Sequence, residues 1–473
     1  MNIAFGVLFF CFFYIISYPF AKNFQLLGYS IKDYLKKILV LPYDFGGKNS
    51  LVLTRRMVRL AICYFFTLAA VTITYFALLN SFWWILLGVV LEIFLLQLIF
   101  IFSALIIAPI EKFIKYCYKK RTISALNRFT GIKIGITGSF GKTSTKNFLA
   151  AMLSKKYKVC SSPKNFNTPM GLSKTVLENL RPEHEVLIME MGARKSGDIA
   201  EMMNMLHPDY GIITAIGEQH LETFGSLENI VATKGEMCAH MHKDGTVIFD
   251  GYNEHSLSLY KKFAGTKYRT GNEGGLCFVN SIKCSSLGSF LKFNLDGREC
   301  KVRTKILGSE LINDICLAAL TAYILGVEIE DILSAIKSLS PAPHRLELIQ
   351  NEFCSIIDDS YNSNLSGALQ ACETLALFKG KKIVVTPGLV EQGVKQYEFN
   401  FKLGKIIGAA SDELIIMNEV NKIALTKGAL AAGLDKEHIH YAQSRTQQKD
   451  LLKKLQQKGS VILFENDLPD NFR

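Results

Sequence analysis

The residues best suited to chemistry lie in one stretch, IKIGITGSFGKTSTK, from Ile132 to Lys146. Lys142 and Thr143 follow a turn made of Gly138, Ser139, Phe140 and Gly141, and Ser144 opens a helix-like segment. The apolar run 132–136 before them reads as a buried strand. Strand, glycine turn and helix start together form an anion site. The glycines let backbone N–H groups face a phosphate, and the helix N-terminus adds a favourable dipole. In that setting Lys142 reaches the β- and γ-phosphates of ATP and the Thr143 hydroxyl sits on Mg2+. The strict P-loop pattern wants glycine where this chain has Ile136, so what stands is T-G-x-x-G-K-T.

Two later strand ends supply candidate partners. Val186–Met191 ends on Glu190, and open α/β sheets bind ligands at the carboxyl ends of their strands. Glu190 there is either a Mg2+ ligand near Thr143 or a cap for the next helix. The run 211–217 leads into Glu218-Gln219-His220, where a histidine can complete a metal or polyphosphate site. Lys234, in ATKGE, follows on a helix on the same side by topology.

Six stretches in order carry a resemblance: TGSFGKTSTK, KNFNTPMG at 164–171, MEMGARKSGDIA at 189–200, IGEQHLETFGSLENI at 216–230, TKGE at 233–236 and DDSYNSNLSGAL at 358–369. Together they resemble the Mur ligases, in particular the MurF type that adds D-Ala-D-Ala to a UDP-muramyl tripeptide. The resemblance implies an ADP-forming ligase. ATP phosphorylates a carboxylate, and an amine then displaces phosphate to form an amide. It implies that Gly138, Ser139, Gly141, Lys142, Thr143 and Ser144 hold the phosphates. Thr143 and Glu190 would bind one Mg2+, and His220 would help bind a second. Lys234 matches a lysine that members carbamylate, which makes an extra anion for metal. Asn253, in DGYN, matches an adenine-contacting asparagine, while Arg345 and Asp359 reach the nucleotide from a C-terminal domain. Substrate handling would fall to Asn165, Asn167 and Thr168 and to Ser360, Tyr361, Asn362 and Asn364. Lys142, His220, Lys234 and Arg345 would be the catalytic set.

The departures from the family bear on substrate. No soluble UDP-sugar-binding domain precedes the loop. The segment GSELINDICLAAL lacks the family's histidine–asparagine pattern, VILFENDLPD stands where the MurF type is basic, and TPGLVEQG keeps only part of a glycine-acidic motif. The reaction type carries over on this reading, but a UDP-muramyl peptide is not expected.

The elements that must position these residues alternate. Strand candidates at 132–138, 186–191, 211–217 and 246–250 are separated by helices starting near Thr143, Ser196 and Ser226. That is the pattern of a mostly parallel sheet wrapped by helices. Residues 265–305 read as a meander of short strands and 309–325 as a helix. After Ser340-Pro341-Ala342-Pro343 a second alternation begins, with strands at 354–358, 382–386, 413–417 and 461–464. The fold class read here is α/β: N-terminal transmembrane helices (1–120), a P-loop central domain (121–340) and a smaller Rossmann-like domain (341–473).

The 473 residues carry a net charge of +12, and much of the excess lies in the first 130 residues beside long apolar runs. That pattern fits basic cytoplasmic flanks of membrane spans better than nucleic-acid binding, for which no basic–aromatic motif is present. Eleven scattered cysteines without CxxC argue against zinc or a disulfide framework. Spans are expected at 2–20, 60–79 and 82–110, the first retained rather than cleaved, with Trp83 and Trp84 as interface anchors and Glu92 inside the third. The segment 31–41 reads as a surface amphipathic helix or a plain juxtamembrane loop. The expectation is therefore a multi-pass protein of the bacterial inner membrane with cytoplasmic catalytic domains. Its acceptor would be a lipid-linked or surface-glycan carboxylate and its amine an amino acid or short peptide, with envelope-biosynthesis proteins as partners through the spans. A poly-γ-glutamate-type synthase and a membrane ATPase switch are the alternatives.

Overall fold

The computed structural model describes residues 11–12, 14–40, 51–78, 82–163, 166–219, 221–272, 274–361, 364–390, 392–417 and 419–467. Met1–Tyr118 with Leu468–Arg473 form one compact unit, and Lys119–Asp467 form another.

The larger unit is built on two six-stranded sheets. The first uses β1 (Ile132–Thr137), β2 (Val159–Ser161), β3 (Val186–Glu190), β4 (Tyr210–Ile213), β5 (Thr246–Phe249) and β6 (Thr266–Arg269). Their order is β2-β3-β1-β4-β5-β6, parallel throughout. Parallel sheets are covered on both faces, so central strands must be apolar on both sides. All five residues of β3 and all four of β5 are accordingly buried. From β1 the chain runs outward to β2 and returns through β3, then crosses to β4 and moves the other way. The crevice of an open α/β sheet opens where that direction reverses, at the carboxyl end of β1. Register pairs Ile136 with Glu190 and Thr137 with Ile213, which sets the glycine turn, Glu190 and the end of β4 side by side.

An antiparallel sheet of β7 (Cys277–Ser285), β8 (Gly288–Leu295) and β9 (Arg298–Thr304) follows. The second large sheet contains β10 (Glu347–Gln350), β11 (Cys354–Asp359), β12 (Lys382–Thr386), β13 (Glu413–Met417), β14 (Ile439–Ala442) and β15 (Ser460–Glu465). Its order is β10-β11-β15-β12-β13-β14, with only β10 antiparallel to its neighbour. One continuous apolar core runs from Ile134 and Ile136 through Ile312 and Ile315 of helix Ser309–Ile324 to Ile357 and Val384. Helix Ser309–Ile324 packs against helix Lys142–Leu153, so the glycine turn is braced from the side facing the second sheet.

The strands expected from sequence appear within four residues of their expected ends, two of them without offset. Three it did not place, β2, β10 and β14, are outer strands of the two large sheets, and a fourth outer strand, β6, lies in the stretch expected as a meander but joins the first sheet. Each is three or four residues long and half exposed, so none shows a continuous apolar run.

The smaller unit holds helices Tyr18–Leu26, Ile31–Val40 and Arg55–Leu78 and the first part of Phe82–Arg128, which contains Pro109. Phe100 is its hub, with ring centroids 5.7 Å from Phe24, 5.8 Å from Tyr34 and 5.4 Å from Tyr64. The Arg59 guanidinium donates to buried Glu111 at 2.6 Å, and Arg56 lies 3.7 Å from the same carboxylate. The expectation of a three-span protein of the inner membrane is not borne out. Among the described residues two helices, Arg55–Thr74 and Leu95–Arg128, are long and apolar enough to cross a membrane by length and composition. Some of their apolar residues, Leu60, Tyr64, Leu68, Leu96 and Phe100, are buried in a helical core, while Phe66, Ile73, Leu98 and Phe102 are exposed. Most of the expected first span, and the side chains of Trp83, Trp84 and Glu92, lie outside the described residues.

Ile134 is fully buried at the centre of β1. Ile134→Ala should lower the unfolding free energy by about 3 kcal/mol, through lost transfer energy plus a residual cavity. Urea denaturation followed by far-UV circular dichroism checks it.

Candidate active site

The turn after β1 is shaped by two glycines in conformations that side chains rarely adopt, Gly138 (φ 149°) and Gly141 (φ 81°). A Cβ on Gly138 would meet the Thr214 hydroxyl at 1.9 Å, and one on Gly141 would meet the Asp314 carboxylate at 2.2 Å. The turn is pinned to the end of β4. Ser139 N–H and Phe140 N–H donate to the Ala215 carbonyl at 2.8 and 3.1 Å, the Ser139 hydroxyl donates to Gly217 O at 3.0 Å, and the Thr214 hydroxyl donates to Phe140 O at 2.6 Å. Helix Lys142–Leu153 starts at Gly141 with no side-chain cap and no acidic residue in its first turn. Its N-terminal dipole is therefore left for an external anion.

Glu190 lies at the end of β3 beside the turn, only 2 % exposed. It accepts from the Thr143 hydroxyl at 2.9 Å and from Asn167 Nδ2 at 3.0 Å, and Lys146 Nζ stands 3.6 Å away. Lys146 is itself buried and donates to Ser162 O at 2.8 Å, and its burial lowers its proton affinity. Glu190 thus sits among Thr143, Asn167 and Lys146 and is not a helix cap. A carboxylate and a hydroxyl oxygen in contact at a phosphate loop are hard donors of the kind Mg2+ takes together with phosphate oxygens.

Lys142 Nζ donates to the carbonyls of Gly138 and Ser139, both at 2.8 Å. Burial pulls its ammonium down to about 8; Glu190 opposes the shift and Arg345 adds to it. Lys234 is 3 % exposed and has no hydrogen-bond or ion-pair partner among the described residues. Burial first, and the charge of Lys142 second, bring it to about 7, against the pull of Asp198, Glu236 and Glu190. Its helix, Leu227–Ala239, is anchored by Glu236, which accepts from the N–H groups of Gly197 and Ala200 at 2.7 and 2.9 Å. The Glu of TKGE thereby fixes where its Lys points.

The second sheet delivers Arg345, whose guanidinium lies 4.7 Å from the centroid of the Tyr361 ring and makes no hydrogen bond or ion pair with described residues. Arg345, Asp359 and Asn364 line a cleft of about 670 Å3 together with Gly141, Ser144, Gly217 and Asn253. Asn253 caps helix Glu254–Lys262 and exchanges hydrogen bonds with the Ile216 backbone, which leaves one amide N–H for a ligand. Thr168 caps helix Pro169–Lys174, Ser360 donates to Asp358 at 2.6 Å, and the Asn364 side chain caps helix Leu365–Ala376. His220, Asn165 and Asn362 lie outside the described residues.

Several cleft residues escaped the sequence reading. Asp314 accepts from the Thr145 hydroxyl at 3.2 Å and faces the glycine turn, and Leu311, Asn313, Tyr252, Gln392, Phe399 and Lys402 also line the cavity. Asp314 sits in the very helix singled out for lacking the expected pattern, which was the signal available. Across the cleft, Lys395 Nζ pairs with Glu218 at 2.7 Å.

Comparison with known proteins gives the family. The Mur ligase middle domain matches residues 136–322. The UDP-N-acetylmuramoyl-tripeptide–D-alanyl-D-alanine ligase of Bacillus subtilis is 31 % identical over 341 residues, covering 70 % of this chain and 72 % of the relative. The ligase of the same name from Buchnera aphidicola (subsp. Baizongia pistaciae) is 28 % identical over 334 residues, covering 70 % and 71 %. Among solved structures, MurF ligase from Thermotoga maritima in complex with ADP superposes with a TM-score of 0.67 at 25 % identity, covering 75 % of this chain and 80 % of that one. These relatives are named for a UDP-linked precursor, so a lipid-linked acceptor and a membrane location gain nothing from them. The chain belongs to the Mur ligase family, with its likeness to the MurF type, and is an ATP-dependent, ADP-forming acid–amino-acid ligase.

Proposed function

We propose that the cleft binds MgATP and activates a peptide carboxylate for capture by the amine of a D-Ala-D-Ala-type dipeptide. The single observation that carries this reading is the electrostatic coupling of Lys142 to Lys234, Arg345 and Glu190, with the Thr143–Glu190 pair behind a glycine turn whose Gly141 lines one cleft with Arg345. A carboxylate and a γ-phosphate repel each other, and fixed cations offset that repulsion where charge develops. The γ-phosphorus passes to a carboxylate oxygen. A new P–O bond forms, the bond to the bridging oxygen breaks, and ADP leaves with that electron pair. The amine then attacks the acyl carbon, phosphate departs with the C–O pair, and the amine nitrogen loses a proton. Lys142 and the N–H groups at the uncapped start of helix Lys142–Leu153 hold the β- and γ-phosphates. Arg345 reaches the transferred group from the second sheet, and Asn253 and Asp359 hold the nucleoside side. Thr143 and Glu190 would hold Mg2+, with His220 toward a second ion; Mg2+ when bound supplies charge neutralisation on the phosphate oxygens. Asn165, Asn167 and Thr168, with Ser360, Tyr361, Asn362 and Asn364, are the proposed substrate contacts.

Lys234 is suited to carbamylation, because CO2 adds only to a neutral amine and this one loses its proton near pH 7. Addition would turn a buried cation beside Lys142 into an anion. The relatives' names make UDP-N-acetylmuramoyl-tripeptide the first carboxylate to test, in place of the lipid-linked or surface-glycan acid expected from the apolar helices.

Full-length protein incubated with MgATP, UDP-N-acetylmuramoyl-tripeptide and D-Ala-D-Ala should release ADP and phosphate in step with amide formation. Phosphate release that depends on neither substrate would overturn the reading. Lys142→Ala should abolish turnover, by more than about 100-fold, with the far-UV spectrum and melting temperature retained. Wild-type turnover in that variant would remove the nucleotide site from the account. Lys234 also carries a stability signature. Its folded-state pKa lies below the unfolded value, so the unfolded chain binds more protons from about pH 7 up to about 10.5, and stability rises across that window. In CO2-free buffer Lys234→Met should therefore unfold at a higher temperature than wild type at pH 7, the gap closing by pH 10. Calorimetry at both pH values decides it.

A further inference from the structure

The segment that carries Arg345 is held in an unusual way. His344 (φ 64°) and Leu346 (φ 48°), on either side of it, both adopt the left-handed conformation without being glycine. Side chains disfavour that region, so a pair of them one residue apart persists only where surrounding bonds impose it. Two of the imposing bonds run to the end of β11 and two lie within the turn and the start of β10. Leu346 N–H donates to Asp359 Oδ1 at 3.1 Å, and Tyr361 N–H donates to the His344 carbonyl at 3.2 Å. His344 N–H donates to Glu347 at 3.0 Å, and Arg345 N–H closes the turn on Ala342 O at 3.1 Å.

One side-chain bond completes the clip. His344 Nδ1 lies 2.8 Å from Asp358 Oδ2. The other oxygen of Asp358 accepts from Ser360 N–H at 3.1 Å and from the Ser360 hydroxyl at 2.6 Å. Asp358 therefore ties the turn to the residues that lead into Tyr361, the ring on which the Arg345 guanidinium rests. The Asp358 side chain is 15 % exposed, so its partner cannot simply be replaced by bulk water.

We propose that His344 is a positioning residue whose ring, bonded to Asp358, holds the Arg345 guanidinium over Tyr361 at the nucleotide cleft. It touches neither nucleotide nor substrate. Its ring fixes a strained turn so that Arg345 is oriented before the ligand arrives, and the ordering cost is met in folding and not in binding. This inference rests on the reading of the cleft as a nucleotide site.

The test uses the full-length chain and MgADP as the probe, by isothermal titration calorimetry. His344→Ala should weaken MgADP about three- to tenfold, the loss of one charge-assisted hydrogen bond at a half-exposed site. His344→Gly should weaken it as much although the turn is now relaxed, which separates the ring from backbone strain. His344→Asn should restore most of the affinity, because asparagine tolerates the left-handed region and its amide can donate to Asp358. Asp358→Asn should resemble His344→Ala. Wild-type affinity in both His344→Ala and His344→Gly, or no recovery in a folded His344→Asn, overturns the proposal. Lys142→Ala is the control for the reading beneath it. If that variant also binds MgADP like wild type, the nucleotide site itself is wrong; if it loses binding while the His344 variants do not, only the role of His344 falls.

Discussion

Like charges held together are the constraint on which this molecule turns. Burial first, and then the neighbouring charges of Arg345 on Lys142 and of Lys142 on Lys234, make each lysine give up its proton more readily than a free one. Nothing local favours that arrangement. It persists because burial and packing leave the lysines no other place, and because Glu190 sits among them as a shared counter-charge. The energy stored in such a cluster becomes affinity when a polyphosphate enters, since an incoming anion relieves the repulsion instead of creating a new desolvated pair.

The framework that resists this repulsion is an ordinary parallel sheet. β1, β3 and β4 end level with one another, and the turn after β1 is stitched to the end of β4 by backbone and hydroxyl hydrogen bonds. Helix Ser309–Ile324 closes the other flank, with Asp314 set against Gly141 where no larger residue fits. Precision at the phosphate loop thus derives from neighbours distant in sequence. The same holds for Arg345, which comes from a different sheet and depends on a turn that the end of β11 holds in a costly conformation.

The departures from sequence expectation have physical causes. The three strands missed, β2, β10 and β14, are outer strands, where one side of the ladder is open and side chains are mixed in polarity, so the hydrophobic pattern fades. The apolar N-terminal segments misled in the opposite direction. A window of hydropathy registers how greasy a helix is but not what it packs against, and here Phe100 gathers Phe24, Tyr34 and Tyr64 around it.

The glycine turn, the strand-end carboxylate and the lysine of TKGE were legible from the chain alone, because each depends on short-range rules: a turn needs glycine, a central strand needs an apolar run, and a parallel sheet brings its strand ends to one edge. The family resemblance followed from their order. What only the tertiary structure decided was the environment of those groups. That Glu190 is enclosed by Thr143, Asn167 and Lys146, that Lys234 is buried without a partner among the described residues, and that Asp314 and Arg345 meet at the same turn all depend on contacts between residues far apart in sequence. Local patterning specifies which elements form. Burial and electrostatic coupling arise only once those elements pack, so the chemistry of the site belongs to the folded chain.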